Sequence, residues 1–233
     1  EFNGAAIRHQ SGENSGDLIV VNSNFVGNQN GILGGGGSGT EVIVKDSTFH
    51  DNGHGDGKSH AIYVNSGDSL VVESSVFTGT NEGHHVKSIA DHTVVRNSTL
   101  GDGNDTASMA IDINGGGDVI VEGNTIYESQ LSSNSDIIYY DTSRGDSAGT
   151  LTVRDNNGVN QGDTATFVAV SLTDRPYTDV VLENNQIQSG SDRFQLSDSA
   201  YTADGNTFNG SNLADGTFDP DWPVGTRDLP TAV

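Results

Sequence analysis

Cysteine is absent from the 233 residues, and proline (4), tryptophan (1) and methionine (1) are scarce. Without cysteine there is no disulfide, no thiolate nucleophile and no cysteine-ligated metal centre. That absence leaves the compartment open. Positive charge is nearly as rare: 10 Lys and Arg stand against 32 Asp and Glu, for a net charge of −22. A nucleic-acid backbone would be repelled, as would anionic lipid. Such acidity suits high salt or surroundings rich in divalent cations. No stretch approaches the roughly 18 apolar residues of a membrane span, so membrane insertion is not expected. The chain opens Glu1-Phe2-Asn3 with no signal peptide, which reads as a mature product or a module excised from a larger secreted chain. With 32% hydrophobic and 6% aromatic residues, any core must be thin.

What the chain does have is a repeat, and a missed repeat miscalls a fold. Seven segments share three β-formers, one variable residue, two small polar residues, a free position and then usually an apolar residue. Their third β-formers are Val20, Val44, Val72, Val95, Val121, Val153 and Leu182, spaced by 24, 28, 23, 26, 32 and 29 residues, with a degenerate eighth segment at Thr202–Phe208. A constant strand with variable spacing describes coils of a parallel β-helix with inserted loops. Stacking these coils makes one core ladder of the Val/Leu anchors and a second of Phe25, Phe49, Phe77, Leu100, Ile126, Ile187 and Phe208. A polar ladder runs from Ser23, Ser47, Ser75 and Ser98 to Asn124, Asn156, Asn185 and Asn206. The outward column Lys45, Glu73, Arg96, Glu122, Arg154, Glu183 alternates in sign, as stacked charges should. Three of the ten cations, Lys45, Arg96 and Arg154, are thereby assigned to solvated ladder pairs.

A second strand row aligns on Ile32, Ile62, Val86, Ile111, Val168 and Phe194, with Asp136–Tyr140 added at one residue of register freedom. Period-two alternation then turns Tyr63, Lys87 and Asp112 outward on successive coils, about 5 Å apart. His85 flanks Lys87 on the same face, and His60, His84 and Asn114 lie close by. A phenol, an amine, an imidazole and a carboxylate therefore line one groove, with His60, His84, Asn114 and Tyr140 placed to hold substrate. The plainer reading is a surface Lys–Asp pair beside a Tyr and turn-capping histidines. Against it, six of the seven histidines (50, 54, 60, 84, 85 and 92) crowd three adjacent coils. Asp102, Asn104 and Asp105, in Gly101-Asp102-Gly103-Asn104-Asp105, resemble one oxygen-rich calcium turn, which makes Ca²⁺ the cofactor to expect. Residues 210–233 lose the repeat and read as a cap or a linker after a β-helix of residues 1–209.

The segment Gly83-His84-His85-Val86-Lys87-Ser88-Ile89-Ala90 resembles the Gly-His-x-x-Lys-Ser-Arg-Ala segment of a group of bacterial secreted β-helix proteins often found in type I-secreted chains, with Ile89 in place of Arg. His60-Ala61-Ile62-Tyr63 and Ile111-Asp112-Ile113-Asn114-Gly115-Gly116 match two further elements of that group, the second without its Pro. The resemblance, over about residues 5 to 190, is to the pectate-lyase-like class of right-handed parallel β-helices. It implies an all-β, right-handed solenoid of about seven to eight coils.

That class includes polysaccharide lyases, polygalacturonases and polyuronate epimerases. Gly53-His54-Gly55 matches a polygalacturonase triplet, but the companion elements are missing, and the Asp-Pro-His of mannuronan epimerases is absent. The expected function is a secreted, extracellular bacterial protein acting on a uronate-containing polysaccharide by C5 proton abstraction, as lyase or epimerase. Such chemistry needs a base at C5 and a group that neutralises the carboxylate. Lys87 or His85 is the candidate base, Tyr63 the acid to the leaving oxygen, and Asp112 the residue that orients Lys87 or holds Ca²⁺. A glycoside hydrolase would need paired carboxylates such as Asp112 and Asp136. The competing class is a non-catalytic adhesin or glycan-binding module.

Overall fold

The computed structural model describes residues 4–9, 16–101, 103–134, 136–144, 149–161, 166–171, 179–188, 194–196 and 200–208, with the backbone alone at 195, 200, 211–212, 216–218 and 227–228. Every element described is a strand, and the strands form three sheets of nine. Each coil gives one strand to each sheet, so consecutive strands of a sheet come from consecutive coils, parallel and in one-to-one register. Eight coils are stacked this way. The ninth strand of each sheet, at Arg227–Asp228, Gly216–Phe218 and Ser211–Asn212, instead pairs antiparallel to the last coil. A free parallel edge would be a template for further pairing.

Sheet I consists of Ile7–His9, Ile32–Gly34, Ile62–Val64, His84–Ser88, Met109–Ile113, Asp136–Asp141, Thr166–Ser171, Phe194–Leu196 and the antiparallel strand. Sheet II carries the β-former triplets, and its strands alternate buried and half-exposed residues as a sheet with one solvated face should. Val44, Val72, Val95, Val121, Val153 and Leu182 are fully buried in one ladder. Sheet III supplies the aromatic ladder: Phe25 stacks on Phe49 at 4.5 Å and Phe49 on Phe77 at 4.8 Å, within 8° of parallel. Gly158 breaks this column, and its space is filled from sheet I. A Cβ at Gly158 would lie 2.4 Å from the Phe167 ring.

Between sheets II and III every coil turns the same way. Asn22, Asp46, Ser74, Asn97, Gly123, Asp155, Asn184 and Gly205 all have φ between 49° and 64°. That left-handed region favours Gly, Asn and Asp. The next residue of each coil forms the polar ladder. Each backbone N–H donates to the side chain one coil on: Ser47 N to Ser75 Oγ at 3.2 Å, Ser98 N to Asn124 Oδ1 at 2.9 Å, Asn124 N to Asn156 Oδ1 at 3.0 Å. The asparagines add a second link, Nδ2 to Oδ1, and also donate to a strand carbonyl, as Asn156 does to Val121 O at 2.9 Å. Buried turn amides are thus satisfied without water.

The charged column of sheet II is paired as its alternation predicts. Glu73 bridges Lys45 at 2.8 Å and Arg96 at 3.2 Å, and Glu122 takes both Nε and Nη2 of Arg154. The structure extends the column beyond the six charges, to Val21 before Lys45 and Asp204 after Glu183.

Candidate functional site

The outward column of sheet I reads Arg8, Leu33, Tyr63, Lys87, Asp112, Tyr139, Ala169, Gln195 by strand register. Tyr63, Lys87 and Asp112 are therefore neighbours on three successive coils, as the spacing predicts. Asp112 is the hub. Its Oδ2 accepts from Lys87 Nζ and from His84 Nε2 at 3.1 Å, and its Oδ1 accepts from Asn114 Nδ2 at 2.9 Å. Burial pushes this carboxyl up, but the His84 hydrogen bond and charge, with the Lys87 ammonium, outweigh burial and hold it at about 2. Asp112 is a permanent anion, and Lys87, whose side chain is 13% exposed, is its counter-ion.

The remaining groups frame this pair. Lys87 Nζ lies 5.8 Å from the Tyr63 ring centroid, within cation–π range. His60 meets the Tyr63 ring edge-on at 5.4 Å and stacks on His84 at 4.8 Å and 9°. The His84 amide donates to His60 Nδ1 at 3.1 Å, so neutral His60 carries its proton on Nε2. Burial, then the charges of His84 and Lys87, push His60 down to about 3. Gly83 makes this stacking possible, because a Cβ there would lie 1.8 Å from Ser59 O on the coil below.

Two expectations need correction. His85 does not share the groove: it is 1% exposed, its Nδ1 is 2.7 Å from Thr80 Oγ1 and its Nε2 is 3.2 Å from Asp105 Oδ2. The loop after Leu100 folds over this end of the sheet, so a residue that alternation turns outward is still enclosed. Tyr140 is not at the surface either. It is fully buried, with its hydroxyl donating to Gly117 O at 2.9 Å. Register places Tyr139 beside Asp112 in its stead. The calcium turn is described only in part: Asp105 faces His85, Asn104 is exposed, and Asp102 lies outside the described residues. Among the described residues no three His, Asp or Glu side chains converge as a metal centre. No step is assigned to Ca²⁺.

Tyr139 is the groove residue that sequence reasoning missed. A signal existed in the polar residues that end the strands, since Asn65, Asn114, Asp141 and Ser171 align only when Ile138 is inward. Burial, the largest influence, raises its phenol. Asp136, the hydrolase candidate's second carboxylate, is likewise raised by burial. Recesses of about 420 Å³ and 370 Å³ occur elsewhere, the first walled by Ser66, Asp68, Asp91 and Arg144, the second by Asp51, Asn81 and Asp105.

No curated protein and no solved structure matches the chain. Residues 37–215 match the family described as the right handed beta helix region. Parallel coils, matched register and this match over more than half the length agree, and the chain belongs to the right-handed β-helix family.

Proposed function

We propose that this is a secreted protein acting on a uronate-containing polysaccharide laid along sheet I, with C5 proton abstraction as its chemistry. The observation that supports it is the unbroken outward column Tyr63–Lys87–Asp112–Tyr139. Lys87 is the group that pairs with the uronate carboxylate. Held against Asp112, it serves as neutraliser in place of base. Tyr63, one coil away, releases its phenolic proton to solvent and takes the C5 proton onto that oxygen, and the electron pair moves into the carboxylate held by Lys87. In a lyase the C4–O bond then breaks and Tyr63 returns the proton to the leaving oxygen. In an epimerase Tyr63 passes its proton to solvent, and a water on the opposite face delivers a different proton to C5. His84 and Asn114 hold Asp112, and Tyr139 offers a ring to the neighbouring sugar.

A hydrolase is disfavoured because Asp112 is engaged by three donors. One observation favours the non-catalytic glycan-binding module: Lys87 and Asp112 already neutralise each other. Incubating the protein with alginate, polygalacturonate and hyaluronan separates the readings. Ultraviolet absorbance of unsaturated product reports a lyase, and C5 exchange of solvent deuterium reports an epimerase. Binding without either reaction would establish the module. Neither binding nor reaction across the panel would overturn the proposal.

A further inference from the structure

The outward face of sheet II is independent of the groove and has two properties that point the same way. Its central column is Ile19, Ile43, Val71, Val94, Ile120, Thr152, Val181 and Thr202. This is a β-branched stripe along the whole stack, with Ile19 64% exposed. Beside it runs the column Lys45, Glu73, Arg96, Glu122, Arg154, Glu183. In a chain of net charge −22, three of the ten cations stand in this column and balance its three glutamates, while Glu41, Asp118, Asp179 and Asp204 leave the rest of the face acidic.

We propose that this face docks on a second copy of the chain, antiparallel. A two-fold axis parallel to the strands, between the fourth and fifth coils, inverts the order of coils and sets each column opposite itself. An alternating column with an even number of members, inverted, meets opposite charge everywhere. Lys45 faces Glu183 of the second copy, Glu73 faces Arg154, and Arg96 faces Glu122. The apolar stripe matches too: Ile43 meets Val181 and Val94 meets Ile120. Glu183, stacked beside Asp204, has no cation within ion-pair distance among the described residues, and the second copy's Lys45 supplies one. On the other flank His92 meets Asp118, while Glu41 opposes Asp179. Strands of five residues over seven coils give a face of roughly 16 by 34 Å. Two such faces bury about 1,100 Å², the low end for a specific interface, so the dimer is reversible. A two-fold axis along the stack would instead set this column against the other flank, where Glu122 meets Asp118 and Glu183 meets Asp179, so like charges disfavour it.

Because the chain has no native cysteine, single thiols can be placed at will. Ile43→Cys and Val181→Cys lie five coils apart, about 24 Å within one chain. Mixing the two variants with a short bismaleimide is expected to give a covalent dimer, and neither alone to do so. In sedimentation equilibrium Lys45→Glu is expected to weaken dimerisation at least about tenfold. Adding Glu183→Lys is expected to restore it, melting temperatures confirming that each variant is folded. A monomer at about 200 μM, well above the Kd of a micromolar interface, would overturn the proposal. So would cross-linking of either single variant as readily as the mixture, or a swap that fails to rescue.

Discussion

Lys87 and Lys45 have the same chemistry and different surroundings, and the difference sets what their loss should do. Lys45 is 41% exposed and pairs with Glu73 at the surface, so Lys45→Ala should cost about 1 kcal/mol or less. Lys87 neutralises a carboxylate that is 3% exposed. Lys87→Ala should therefore destabilise by about 3 kcal/mol, besides abolishing turnover. Here the structure departs from a surface lysine, whose removal would leave stability nearly unchanged. Lys87→Gln with Asp112→Asn should recover most of that stability and none of the activity. Denaturant melts and turnover on the responsive polysaccharide measure both, and a double variant that turns over normally would remove Lys87 from the site.

Glu128 makes a separate residue-scale prediction. It is 3% exposed, and burial first, with the Asp105 charge adding, raises its carboxyl to about 8. The folded value lies above the unfolded one, so its contribution is fully present below the unfolded pKa of 4.5 and is lost as pH rises towards 8. Glu128→Gln should raise the melting temperature relative to the parent increasingly across that window. The gain at pH 9 should be on the order of 5 kcal/mol at most. An identical difference at pH 5 and pH 9 would show that Glu128 is ionised or screened in the fold.

At the scale of elements, the polar ladder replaces water at every bend between sheets II and III. Asn156 accepts from Asn124 and donates to Asn185 and Val121 while fully enclosed. Asn156→Ala should cost about 2–4 kcal/mol, since several buried partners are orphaned together. Asn156→Ser should cost less, because the first four coils run the same ladder on serine, as Ser47 to Ser75 does. Urea unfolding ranks the two, and equal losses would mean that the hydrogen-bond chain contributes little. Strand register is also an element-scale matter. A shift of one residue exchanges Tyr139 for Tyr140 between surface and core, and no local propensity separates two adjacent tyrosines.

For the whole molecule the dominating quantity is 32 acidic side chains against 10 basic ones. Salt should raise the melting temperature by screening their repulsion. A fall or no change between low and about 1 M NaCl, where the screening length shrinks to about 3 Å, would mean that the ladders already cancel the repulsion. Acid acts in the opposite sense to its effect at Glu128. His60 and Asp112 have depressed folded values of about 3 and about 2, so what they contribute is present above 6.5 and 3.8 respectively and is lost as pH falls through those windows. Stability should therefore decline on both sides of a mildly acidic to neutral optimum. Circular dichroism should be β-dominated throughout that range.

Sequence by itself determined whatever repeats. Each coil stacks on its neighbour in register, so one periodic pattern read along the chain predicts the core ladders, the Ser/Asn ladder, the alternating charges and the Tyr63–Lys87–Asp112 column. Only the tertiary structure decided what depends on the loops between strands. The loop through Asp105 encloses His85, Phe167 fills the gap left by Gly158, and strand register, with the Tyr140 hydroxyl bonded to Gly117 O, settles which tyrosine joins the groove. Loops of different length carry no period, and where they fold back over a sheet, outward ceases to mean exposed.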